Sequence, residues 1–219
     1  MHFLGTMLDK KLHMPAPADA LKGRAEPVAT ASTHAVNCRD LQAPAPDGFE
    51  TVYFALGNYW PAERLFWKTP GVWVTAAGFM GGYTPNPTSQ EVATGMTGHA
   101  QTVKVVYDPA QISFAALLKL FWENHDPAQG NRQGNDIGTL YRSAIFTTTA
   151  SQLEQALASR DVFQQALAAV RTGRITTEIR EAPAFYFAGE EHQQYLARNP
   201  GGSGTLRGTG AVYPLPGGD

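Results

Sequence analysis

Apolar and polar positions alternate from Thr51 to Leu56, with Val52, Phe54 and Leu56 on one side, and this period of two predicts a buried strand. After Gly57 the period lengthens. Asn58-Tyr-Trp-Pro-Ala-Glu-Arg-Leu-Phe-Trp67 reads as an amphipathic helix with Asn58 as N-cap. Pro61 falls in its first turn, where a missing N–H costs nothing. A strand running straight into a helix N-terminus aims backbone N–H groups and a positive dipole end at the turn, which suits a nucleophile or an anion. Residues 71–78 read as a second strand, followed by a Gly- and Pro-rich loop to Pro87, and residues 101–107 read as a third. Ser113 caps a helix whose stripe is Phe114, Leu117, Leu118 and Phe121. The polar stretch 124–142 is long and structureless, as functional loops often are.

Further on, residues 143–147 form a strand pattern, and Ser151 with Glu154 makes a capping box that starts a long helix ending at Gly173. Short strands are expected at 176–179 and 184–187, and a short helix at 190–198. Regular β-α-β repeats are few, which favours an α+β fold with a mixed or antiparallel sheet. Residues 1–49, with Pro15, Pro17, Pro27, Pro44 and Pro46, read as an arm packed on one domain of residues 50–200. Residues 201–219 form a Gly- and Pro-rich, irregular tail.

Composition narrows the functional classes. The 219 residues are 43% hydrophobic and 11% aromatic, enough for a sizeable core. A net charge of −2 without a basic run argues against nucleic acid and anionic membranes. No apolar run reaches about 18 residues, so no membrane span is expected. At the N-terminus the charges follow the apolar run, the wrong order for a signal peptide, and a cytoplasmic protein is the default. Cys38 is the only cysteine, which excludes an intramolecular disulfide and a dithiol pair.

Candidate chemistry lies in or beside loops, at Asn58, Ser89, Glu91, His99, Gln101, His125, Asp126, Asp136, Tyr141, His192 and Tyr195. Each has a plainer reading: His99 as a core histidine, His125-Asp126-Pro127 as a helix stop, Asn58 as a cap only, Tyr59 and Trp60 as core aromatics. No histidine pair has metal-ligand spacing on a predicted element, so neither a metal nor another cofactor is expected.

Several longer motifs change this picture. They are Gly57-x-x-Trp60, Ala62-Glu-Arg-Leu-Phe-Trp67, Gly81-Gly-Tyr-Thr-Pro-Asn-Pro87 and Thr97-Gly-His-Ala100, then residues 121–129 (Phe-Trp-Glu-Asn-His-Asp-Pro-Ala-Gln), Gln133-Gly-Asn-Asp136, Tyr141-Arg-Ser143 and His192-Gln-Gln-Tyr195. In this order they resemble the A-type peptide-methionine sulfoxide reductases over residues 50–200, with His34-Ala-Val-Asn37 of the arm also similar. The resemblance implies an α+β fold with a mixed central sheet and a ferredoxin-like core. It also implies a reaction. A cysteine in Gly-Cys-Phe-Trp-Gly attacks the sulfoxide sulfur from a helix N-terminus. Two aromatics hold the S-methyl group, a glutamate and two tyrosines bind the oxygen, and tail cysteines form a disulfide that thioredoxin reduces.

Where that chemistry would happen, this chain differs. The nucleophile position is Asn58, the acidic position Gln101, and one oxygen-binding tyrosine is Ser89; Tyr141 is the other, and Asp136 stands at the pocket rim. Tyr59 and Trp60 keep the aromatic pair, the following glycine is Pro61, and the tail holds no cysteine. An amide can neither attack sulfur nor become a sulfenic acid. Asn58, Gln101, Asp136 and Tyr141 are therefore expected to act in a non-redox, acid–base or electrostatic reaction on a small molecule. Tyr59, Trp60, Ser89, His99 and Tyr195 are expected to bind it. The competing readings are an inert homologue that binds methionine sulfoxide or a partner, and a residual reductase using Cys38. A monomer is expected, and thioredoxin is not expected as a partner.

Overall fold

The computed structural model describes residues 11–202, 204, and 206–216. The reading of the N-terminal charge order falls on residues 1–10 and lies outside them. Eight strands are seen among the described residues. Six form one sheet: β1 (Glu50–Leu56), β2 (Val72–Met80), β3 (Ala100–Tyr107), β6 (Ser143–Thr147), β7 (Glu178–Glu181) and β8 (Tyr186–Phe187), in the order β7-β6-β1-β3-β2-β8. All neighbours are antiparallel except β6 and β7. The remaining two, β4 (Arg132–Gln133) and β5 (Asp136–Ile137), make a small hairpin. The helices are α1 (Tyr59–Trp67), α2 (Ser89–Ala93), α3 (Phe114–Glu123), α4 (Ala150–Val170) and α5 (Tyr195–Arg198). The run β1-α1-β2-β3-α3-β6 with sheet order β6-β1-β3-β2 is the ferredoxin-like split β-α-β arrangement. The α+β fold with a mixed sheet is the one expected.

Alternation along β1 decides the layers. Val52, Phe54 and Leu56 face α1, α3 and α4, where Phe54 stacks on Phe66 of α1 and Phe121 of α3 at 5.0 and 5.4 Å. On the opposite face the arm covers one part, with Leu41 fully buried against Val74, Ala76 and Val106, and Ala182 and Phe185 pack on another, against Met80 and Phe146.

Several boundaries differ from expectation. Thr149 caps α4 by accepting from Gln152 N–H, two residues ahead of the Ser151–Glu154 pair, so that pair lies inside the helix. Helix α2 was hidden in an apparent loop; Thr88 and Glu91 form its capping box. The predicted helix at 190–198 is broken at Gln193-Gln194, where Gln194 has φ +44°. Strand β2 runs through Gly78 to Met80, and β7 begins two residues later than expected.

His125 follows α3 and is completely buried. In its neutral form the ring donates from Nδ1–H to the Phe121 carbonyl (2.7 Å) and accepts at Nε2 from the Ser143 hydroxyl (2.7 Å). Burial lowers its pKa to about 4. An unfolded chain takes up that proton near pH 6.5, so the stability from His125 is complete above pH 6.5 and is lost as pH falls towards 4. The loss amounts to about 3 kcal/mol. Denaturant unfolding of the parent and of His125→Gln at pH 7 and pH 4.5 checks this: the parent should lose more stability than the variant on acidification, and equal losses would refute it.

Candidate active site

The turn at residues 57–59 is built by backbone geometry. Gly57 has φ +97°, and a Cβ there would come within 2.9 Å of the Gln133 side chain, so glycine is required twice over. Gln133 is itself fixed, accepting from Asp126 N–H (3.0 Å) and donating to the Asp126 carbonyl (2.9 Å). This pair holds the β4–β5 hairpin over the start of α1.

Two amide oxygens satisfy the first N–H groups of α1. Asn58 Oδ1 accepts from Trp60 N–H (2.9 Å), and Gln101 Oε1, from β3, accepts from Tyr59 N–H (3.1 Å). The donors that would stabilise an anion at this helix end are therefore already used by neutral groups. The amide NH₂ groups of both residues remain as donors to a ligand.

Beside Asn58 lies a cavity of about 420 Å³. Its walls are Leu56, Asn58 and Pro61 from the turn, residues 133–136 from the hairpin, and Gly204, Leu206 and Arg207 from the tail. Of the expected site residues only Asn58 and Asp136 line it. Burial raises the pKa of Asp136, and Tyr141 is close enough for the Asp136 charge to add to the upward shift that burial gives its phenol.

The aromatic residues form a cluster of their own. Trp60 stacks on Tyr195 with ring centroids 3.9 Å apart, and its indole N–H donates to His192 Nδ1 (3.3 Å). Tyr59 turns inward to 2% exposure, against Phe79 and His192. Of the two aromatics expected to bind a ligand, Trp60 has one face taken by Tyr195, and Tyr59 is core. The Ser89 hydroxyl lies near enough to the Tyr59 phenol to lower its pKa, against a larger rise from burial, yet it is aligned for a hydrogen bond with no described residue.

His99 stands apart from the cavity. Its Nδ1 accepts from Gly82 N–H (3.0 Å) and its Nε2–H donates to the Thr84 carbonyl (2.7 Å), so both nitrogens are spent on holding the 82–84 loop. Among the described residues no group of three or more His, Cys, Asp or Glu is placed to hold a metal ion. Cys38 is exposed on the arm, beside Asn37 and Arg39, which both donate to the Trp73 carbonyl. Trp73 is six residues from Phe79 along β2, and Phe79 pairs with Gln101. At about 3.3 Å per residue, that puts the Cys38 turn roughly 20 Å from the start of α1.

The family model described as Peptide methionine sulfoxide reductase matches residues 50–210. The chain belongs to that family. A peptide methionine sulfoxide reductase MsrA from Agrobacterium fabrum (strain C58) is 60% identical over 209 residues, covering 95% of this chain and 97% of its own. The solved methionine sulfoxide reductase A of Corynebacterium diphtheriae has a TM-score of 0.83 at 46% identity, covering 93% of this chain and 99% of that one. Mxr1 from Saccharomyces cerevisiae, in complex with Trx2, shares the fold at a TM-score of 0.51 and 19% identity, covering 76% and 96%.

Within this reductase-family scaffold the structure adds residues that the pattern did not single out. Glu63 of α1 is fully buried and accepts from Gln194 N–H (2.8 Å), Gln194 Nε2 (2.6 Å) and the Thr75 hydroxyl (3.0 Å). Thr75 in turn faces His34 Nε2 at 3.1 Å, and because His34 Nδ1 accepts backbone N–H groups, its Nε2 is the protonated nitrogen. Gln193 exchanges two hydrogen bonds with the Ala77 backbone, both at 2.8 Å. Through Gln193 and Gln194, the His192–Tyr195 segment is tied to the sheet and to α1, which fixes Tyr195 against Trp60. The motif 192–195 signalled this segment; nothing in the sequence signalled Leu206 or Arg207.

Proposed function

We propose that the chain has kept the pocket of its family and lost its thiol chemistry, and that the pocket serves a non-redox acid–base reaction on a small molecule. One observation carries this reading. Asn58 is locked as the helix cap at the nucleophile position implied by the resemblance, with its carbonyl oxygen on Trp60 N–H. The neutral amides of Asn58 and Gln101 bind an acceptor group. Asp136, with its pKa raised by burial, is the proton acceptor, and the neighbouring Tyr141 phenol, which burial holds protonated, is the donor.

A second reading, a binding protein without turnover, is favoured by the same helix end, whose N–H groups are already satisfied and so cannot answer charge developing on a substrate. A reductase working through Cys38 is disfavoured by the position of its turn at the far end of β2. Thioredoxin is not needed in either favoured reading, since the tail has no cysteine. Yeast Mxr1 in complex with Trx2 indicates that the fold can present a surface to such a partner, but here the contact would have no disulfide to reduce.

The test is an assay with dithiothreitol and a methyl sulfoxide, run on the parent and on Cys38→Ala. Both should stay at the background rate, while Asp136→Asn and Trp60→Ala should reduce ligand-induced thermal stabilisation. Sulfoxide turnover by the parent would overturn the proposal, and its disappearance in Cys38→Ala would establish the Cys38 route.

A further inference from the structure

The cavity beside Asn58 carries one acidic and one basic side chain. Asp136 comes from the β4–β5 hairpin and Arg207 from the tail, and both line the cavity while remaining exposed. Neither forms an ion pair or a side-chain hydrogen bond with any described residue, although most other charged groups near the site are engaged: Glu63 by Gln194 and Thr75, Arg142 by Glu178, and Asp126 by Gln129 and Arg171. The Asp136 carboxyl is also pushed up by burial with no cation pulling it back, as expected when Arg207 does not neutralise it across the cavity.

The rest of the lining is neutral amide (Asn58, Gln133) or apolar (Leu56, Pro61, Leu206). An anion alone would leave Asp136 opposing it, and a cation alone would leave Arg207 opposing it. A ligand that carries both charges satisfies both walls. The volume, about 420 Å³, is that of a small-molecule site.

We propose that this cavity takes a free α-amino acid, with its carboxylate on the Arg207 guanidinium, its ammonium on the Asp136 carboxylate, and its side chain over Leu56, Pro61 and Leu206. The two charges occur on one residue only when that residue is not inside a peptide. The chain therefore selects free amino acids against peptide residues. The inference rests on reading this cavity as the ligand site, but not on the loss of redox chemistry. Turnover of a sulfoxide would refute the latter and leave the former intact.

Titration calorimetry of the full chain tests it with L-leucine, L-methionine and L-methionine S-oxide, each also as its methyl ester, its N-acetyl derivative and its N-acetyl amide. At least one free amino acid should bind roughly threefold to tenfold more tightly than its ester or its N-acetyl form, the range for charge-assisted contacts at an exposed mouth. Arg207→Gln should abolish the preference over the ester and keep that over the N-acetyl form; Asp136→Asn should do the reverse. Equal binding of free and blocked forms, no binding of any free form at millimolar concentration, or preferences that survive both substitutions would overturn the proposal. A folded state for both variants, read by circular dichroism, keeps the comparison valid.

Discussion

Replacing Asn58 with cysteine is expected to give the chain a sulfoxide-dependent oxidation of dithiothreitol that the parent lacks. The substitution removes the amide oxygen from Trp60 N–H and puts a thiol at the N-terminus of α1, where the freed N–H and the helix dipole stabilise a thiolate. A sulfenic acid formed there has no resolving cysteine, but the small dithiol can reduce it directly. The rate should rise further in Asn58→Cys/Gln101→Glu. That variant restores a carboxylic acid beside the turn, and a positioned general acid contributes about 10²–10⁴-fold. Steady-state consumption of the dithiol against a methyl sulfoxide measures both. If the double variant stays at the parent's background, the pocket has lost more than its thiol, and the view that the scaffold is retained fails.

The second large effect concerns Glu63. Its carboxylate is the acceptor for three buried donors, and Glu63→Ala would leave Gln194 N–H, Gln194 Nε2 and the Thr75 hydroxyl unsatisfied. Leaving three buried donors without a partner in this way costs about 3–5 kcal/mol. For a chain of this size the melting temperature should fall by about 10 °C. The pH dependence has a definite sign. Burial outweighs the three donors and raises the Glu63 pKa to about 7. Stability linked to this group is therefore complete below pH 4.5 and is lost as pH rises through 7, opposite to the contribution of His125. Thermal melts of parent and Glu63→Ala at pH 5 and pH 8 decide it: the difference between the two proteins should be larger at pH 5. A fall of less than about 3 °C at both pH values would show that the network is dispensable.

How much of this could be read in the chain depends on whether the signal is local. The Asn58 cap was legible because the strand period, Gly57 and the capping residue are adjacent. The capping box Thr88-x-x-Glu91 was equally local, yet α2 is only five residues long and has no apolar period to announce it. Ser151–Glu154 was a false box because Thr149, two residues earlier, was an equally good cap. The β4–β5 hairpin, two residues per strand, is too short for alternation to show. His99 was misplaced for another reason: its Thr84 carbonyl partner comes from a separate loop, and only tertiary structure brings the two together. The long-range ties of Gln193, Gln194 and Glu63 were beyond any reading of periodicity.

The family match begins at Glu50, but the cooperative unit does not. His34 donates to Thr75, which donates to Glu63, and Ala35 N–H donates to the Gln194 side chain (2.9 Å). A chain trimmed to the matched residues would lose the Ala35 N–H bond to Gln194 and uncover the part of the sheet that Leu41 covers at the same time. Protease cleavage within residues 30–45 would then be felt at the Trp60–Tyr195 stack, next to Gln194 in the chain. In this protein the boundary of the family model and the boundary of the folding unit fall at different places.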